Sequence, residues 1–175
     1  MTPDQDAPEE TVWEGRFIAA KKRGRWEYAS RTRCIGAAVI LAVDAGHVIL
    51  VEQYRVPLGR HCLELPAGLV GDEQAGESVE ASAARELEEE TGYRATRIES
   101  LGRFYSSPGM VSEYFHLVRA EGLTRVSDGG GVAGEDIAVH RVPIADVATF
   151  VAEKRAAGTA IDVKLLLLLG ASFLR

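Results

Sequence analysis

The sequence predicts an α/β (α+β) fold: a mixed β-sheet sandwiched between helices, with an antiparallel hairpin at the N-terminal end. Three features predict it. Apolar, β-branched runs at Cys34 to Val43 and His47 to Tyr54 flank the tight turn Asp44-Ala45-Gly46. A segment of good helix formers through Ala81, Ala83, Ala84, Arg85 and Leu87 stops at Gly92, a natural residue just past a helix end. Two further helices close the chain. One starts at Pro143 with Ile144, Val147, Phe150 and Val151 on one face, and an apolar one runs from its cap at Asp162 to Leu174.

The chain has 175 residues, 46% hydrophobic and 26% charged, enough for one globular domain with a proper core. A net charge of −6 gives no general attraction to nucleic acid or anionic membrane, and neither is expected as a partner. Cys34 and Cys62 lack metal-ligand spacing and read as reduced core residues. With no signal-peptide pattern at Met1, the expected location is cytoplasmic. The run Leu165 to Leu169 is too short to span a bilayer.

In chain order, residues 1–10 are rich in proline and acid and are expected to form a disordered lead before a single domain, residues 11–175. Thr11 to Ala20 and Trp26 to Arg33 read as strands around Lys22-Arg23-Gly24-Arg25. Such a hairpin cannot stand alone, so residues 11–33 must pack on the core or on a partner subunit. Trp13 and Trp26 are the only tryptophans; Trp26 is either core or an aromatic shelf. Leu63-Glu64-Leu65 is a short strand running into an abrupt turn at Pro66-Ala67-Gly68. Strands are expected near Thr96 to Tyr105 and Glu113 to Arg119, with the loop Ser106-Ser107-Pro108-Gly109 between them. The stretch from Gly129 to Gly134 is flexible by composition and leads to Glu135, Asp136 and a strand through Arg141.

Chemistry concentrates on the central helix. Glu86, Glu89 and Glu90 stand at i, i+3 and i+4 and share a face. Together with Glu88 they repel one another and meet the negative end of the helix dipole. A solvated acidic face is one reading of such a run. The other is a divalent cation, since clustered carboxylates are the hard oxygen ligands that Mg²⁺ prefers.

The wider spacing decides between them. It reads Gly71-x5-Glu77-x7-Arg85-Glu86-Leu87-x-Glu89-Glu90-x-Gly92-Tyr93. This resembles the Nudix box, which implies the Nudix fold and a loop-helix-loop that holds Mg²⁺ against a diphosphate. In relatives the opening glycine belongs to a Pro-Ala-Gly turn, here Pro66-Ala67-Gly68. On that alignment three residues are inserted before Glu77, and Gly71 fits by accident. The pieces Trp26-Glu27, Val51-Glu52-Gln53-Tyr54-Arg55, Leu63 to Gly68 and Ser107-Pro108-Gly109 are similar to the ADP-ribose and ADP-sugar pyrophosphatases. Pro108, fifteen residues past Tyr93, resembles the proline that marks this branch.

The resemblance implies hydrolysis of ADP-ribose, or a related ADP-sugar, to AMP and a sugar phosphate. GDP-mannose or another nucleotide sugar is the alternative, and a non-catalytic ligand-binding module a more distant one. It implies two or three Mg²⁺ ions, or Mn²⁺ in their place, on the Ala67 carbonyl, Glu86 and Glu90, with Glu89 and Glu135 as further ligands. Arg31 and Arg55 match diphosphate-binding arginines, and Pro108 and Gly109 belong to the substrate loop. Trp26 matches an aromatic that stacks on the base, often across a homodimer built from the N-terminal strands. Arg85 would hold a box glutamate in place. Glu135, on a loop free to swing, would position the attacking water, with Glu89 the competing base.

Overall fold

The computed structural model describes residues 4–32, 36–71, 76–132 and 134–173. Three strands come first: β1 (Glu9–Glu14), β2 (Ile18–Arg23) and β3 (Trp26–Arg31) form an antiparallel sheet in the order β1-β2-β3. The expected single strand Thr11 to Ala20 is therefore two. The chain reverses at Gly15, whose N–H donates to the Ile18 carbonyl at 2.8 Å. The expected lead also differs. Asp4 is buried, its carboxylate accepts from Arg25 Nε at 3.1 Å, and β1 already begins at Glu9.

The main sheet holds β4 (Ala37–Asp44), β5 (His47–Arg55), β6 (Arg60–Glu64), β7 (Ala67–Leu69), β8 (Tyr93–Tyr105), β9 (Tyr114–Arg125), β10 (Ala138–Pro143) and β11 (Ala160–Ile161). Its path is β11-β6-β5-β4-β9-β8, with β10 paired to β5 and β7 to β4. Strand β4 changes partners along its length. Ala37–Val39 pairs antiparallel with β7, Val43 and Asp44 pair with β5, and the other edge runs parallel to β9. The abrupt turn expected at Pro66-Ala67-Gly68 is instead a bend into β7, with Ile40 N–H donating to the Pro66 carbonyl at 2.8 Å. A strand edge in need of partners captured what local sequence marked as a turn.

The helices are α1 (Val79–Thr91), α2 (Val147–Ala156) and α3 (Leu166–Phe173). Alternation along β4 and β5 sorts them onto two faces. Ala38, Ile40, Ala42 and Ile49 meet Ala83 and Leu87 of α1; Val39, Val48 and Leu50 meet Val147, Val151, Leu165 and Leu169 on the α2/α3 side. This is the sandwich the sequence predicts. Strands covered on both faces have no polar side, which is why β4 reads as a continuous apolar run. Asp162 caps the last helical segment, accepting from the Lys164 N–H at 2.8 Å. Cys62 is buried and free, whereas Cys34 lies outside the described residues. No helix among the described residues is long and apolar enough to cross a membrane.

Candidate active site

Helix α1 is set by its caps. The Ser78 hydroxyl accepts from the Ala81 N–H at 3.1 Å, and Gly92 ends the helix in the left-handed region at φ +73°. With Ala83 and Leu87 facing the sheet, Glu86 and Glu90 fall one turn apart on the wall of a cleft of about 730 Å³. Ala67, Gly68, Arg31, Arg55 and Glu135 line the same cleft. Glu90 is buried, and its Oε2 accepts from the Ala67 N–H at 3.0 Å. Burial pushes the Glu90 carboxyl up to about 8, with the charges of Glu86 and Glu135 adding to it. Burial also raises Glu86, partly countered by Arg85.

Arg85 does more than hold one glutamate. It lies 3.6 Å from Glu77, 3.0 Å from Glu86 and 3.1 Å from Glu89. Arg94 grips Glu88 through two hydrogen bonds. These contacts offset much of the repulsion along α1, but among the described residues the one hydrogen bond to the buried Glu90 carboxyl is the Ala67 amide's, with the more distant charge of Arg55 helping. Among the described residues no three His, Cys, Asp or Glu side chains form a finished metal cage. The donor set nonetheless fits a hard cation. Mg²⁺ keeps several waters and is held by one or two carboxylates plus substrate phosphates, and here the buried Glu90 carboxyl, near Glu86 and Glu135, is short of counter-charge.

Both candidate diphosphate arginines sit in the cleft, each on a carboxylate the sequence reading did not single out. Arg55 donates to both oxygens of Glu64 at 2.6 and 2.8 Å, and Arg31 pairs with Glu113. Glu64 carried one faint signal, an acid between two leucines of a buried strand. Glu113, 82 positions from Arg31, carried none.

Five candidates lie elsewhere. Glu89 is absent from the cleft wall; with Arg85 and Glu88 it lines a separate groove. Trp26, Pro108 and Gly109 line another groove, of about 510 Å³, against the N-terminal sheet. There β3 is stitched to the loop, with Ala29 N–H donating to the Met110 carbonyl at 2.9 Å and Ser112 N–H to the Ala29 carbonyl at 3.0 Å. The Trp26 side chain is 55% exposed, so it is not a core residue of this chain.

The loop of Glu135 is not the free swing its glycines suggest. Gly130 N–H donates to the Glu90 carbonyl at 2.9 Å and Gly131 N–H to the Glu89 carbonyl at 3.0 Å. A Cβ on Gly129 would overlap the Thr91 backbone, so this glycine serves close approach as well as a positive φ. The Glu135 carboxylate in turn accepts from the Val132 N–H at 2.9 Å. Before the helix, a Cβ on Gly68 would overlap the Glu86 carboxyl. Gly68, in the Pro-Ala-Gly segment, is thus the glycine pressed against the box helix, and the insertion before Glu77 falls partly on residues 72–75, outside the described residues.

The sequence profile of the NUDIX domain matches residues 32–162. The chain belongs to the NUDIX family. This NUDIX chain is 47% identical over 90 residues to an ADP-ribose pyrophosphatase of Bacillus subtilis (strain 168), covering 51% of the chain but only about half, 47%, of that relative. Against the methanol dehydrogenase activator of Bacillus methanolicus it is 34% identical over 154 residues, covering 83% of the chain and 82% of the relative. The crystal structure of an ADP compounds hydrolase superposes with a TM-score of 0.71 at 26% identity, over 94% of this chain and 90% of that one.

Proposed function

We propose that the protein hydrolyses the diphosphate of ADP-ribose, or of a closely related ADP-sugar, to AMP and a sugar phosphate, with Mg²⁺ as its cation. One observation carries this: a single cleft gathers Glu86, Glu90 and Glu135 with Arg31 and Arg55. Acids alone would repel a diphosphate and arginines alone would only bind it. The names of the relatives supply the substrate class.

Glu86, Glu90 and the Ala67 carbonyl would hold the cation, which supplies charge neutralisation at the diphosphate and a more acidic water. Arg55 and Arg31 bind the phosphate oxygens and stabilise charge on the leaving group. Glu135, inside the cleft, takes the proton of the attacking water; Glu89 faces away and supports the helix through Arg85. A module that only senses ligand has no need to crowd these acids together.

The base shelf comes from a second copy of the chain. Trp26 and Arg31 are five positions apart on β3, so they project to opposite faces about 17 Å apart. One chain cannot offer both to one nucleotide. Val12, Trp13, Phe17 and Ile18 on the neighbouring strands and their connecting turn are exposed, an apolar surface suited to a homodimer. The test is a panel of ADP-ribose, other ADP-sugars and GDP-mannose with Mg²⁺, read by product identification. AMP with ribose 5-phosphate is expected. Preference for GDP-mannose would reassign the substrate, and no cleavage of any member would refute the reading.

A further inference from the structure

Of the two arginines in the cleft, Arg55 lies within electrostatic reach of Glu90. The charge of Glu90 is felt at Arg55 and that of Arg55 at Glu90, and both side chains line the cleft beside Ala67. A half-exposed guanidinium beside a buried carboxyl tends to pair with it once the carboxyl ionises, because the buried partner has little water to screen it. That pair would occupy the oxygens a cation needs. Arg55 is instead committed elsewhere: Nε donates to Glu64 Oε1 and Nη2 to Glu64 Oε2, at 2.6 and 2.8 Å. Glu64 ends β6 between the buried Leu63 and Leu65, with a side chain only 7% exposed. A two-pronged grip fixes the plane of the guanidinium, and Nη1 takes no part in it.

We infer that Glu64 is a positioning residue that holds Arg55 off Glu90, keeping Glu90 for the cation and the remaining edge of the guanidinium for the diphosphate. This rests on reading the cleft as a site for metal and diphosphate. It adds a role outside the box: the acid two residues before Pro66 protects a metal ligand from its own neighbour.

Mn²⁺ binding to the substrate-free protein, followed by the paramagnetic resonance of free Mn²⁺, tests this without turnover. Glu64→Gln frees Arg55 to turn to Glu90 and is expected to weaken Mn²⁺ binding roughly 10–100-fold, the usual loss when a group that orders a metal ligand is removed. Adding Arg55→Gln removes the intruder, so the double variant is expected to bind Mn²⁺ as the wild type does while hydrolysing poorly. A role in packing alone predicts no such rescue. Unchanged binding in Glu64→Gln, or a loss that Arg55→Gln does not repair, overturns the inference. Should Glu64→Gln fail to fold, Arg55→Lys takes its place: lysine keeps the charge without the two-pronged grip, the same loss is expected, and wild-type affinity overturns the inference. Wild-type protein that binds no Mn²⁺ and cleaves no nucleotide sugar would overturn the functional reading and this inference together, whereas failure confined to the variants touches only Glu64.

Discussion

The N–H of Gly130 donates to the carbonyl of Glu90 at 2.9 Å, joining the loop that carries Glu135 to the end of the helix that carries the box acids. Helix ends leave carbonyls without intrahelical partners, and this loop supplies the donors. Gly129 makes the approach possible, at φ +67° with no room for a Cβ against Thr91. Gly129→Ala is therefore expected to cost about 1–3 kcal/mol of stability, the range for a residue forced into a disfavoured backbone region. It should also lower kcat more than it raises KM on the proposed reading, in which the displaced Glu135 acts on the water and not on the nucleotide. Thermal melting with steady-state kinetics measures both; full turnover in a folded variant would show that Glu135 does not need this attachment.

Features written in nearby residues were legible in the sequence. The apolar run of β4, the helix end at Gly92, and the i, i+4 pairing of Glu86 with Glu90 each depend on residues within a few positions. What escaped depends on distant partners. The turn chemistry of Pro66-Ala67-Gly68 yields to pairing with β4, and the glycines after Ser127 read as freedom until α1 is placed beside them. The anchors Glu64 and Glu113 are nine and 82 positions from their arginines, and no local pattern connects them.

The metal-free protein should lose stability as pH rises. Burial lifts Glu90 from its ordinary 4.5 to about 8. A carboxyl raised on folding contributes stability that is full below the unfolded value and disappears as pH climbs through the folded one. In a chelating buffer the melting temperature is therefore expected to fall between pH 4.5 and about 8, and Mg²⁺ to restore it at the alkaline end. Glu90→Gln should flatten this part of the profile and cut turnover by orders of magnitude, as should Glu86→Gln for turnover. A wild-type profile that Mg²⁺ does not shift would argue for a solvated acidic face after all.

Trp26→Ala tests the shared site. Stacking on an aromatic is worth about 1–3 kcal/mol in nucleic-acid settings, so KM should rise about tenfold or more with kcat little changed. The split is expected because a base far from the scission point is held equally in ground and transition states. Sedimentation of the wild type should give a dimer. A strictly monomeric protein with an unchanged KM in the variant would remove Trp26 from the substrate.

The choice of base rests on Glu135 against Glu89. Between Gly129 and Ile137 the loop carries two acids, Glu135 and Asp136. Glu135 lines the cleft and its charge is felt at both Glu86 and Glu90. Glu89 is turned to Arg85 at 3.1 Å and lines a separate groove, although its charge is felt at Glu86 too. Loss of a base removes an interaction made only in the transition state, so Glu135→Gln is expected to lower kcat by roughly 10²–10⁴-fold with substrate affinity nearly intact. Glu89→Gln loses one of the acids around Arg85 and should act more mildly, through stability and the placement of Glu86. Measuring the two variants side by side separates the roles. A near-normal kcat for Glu135→Gln beside a collapse for Glu89→Gln would place the base on the helix and leave Glu135 a loop acid.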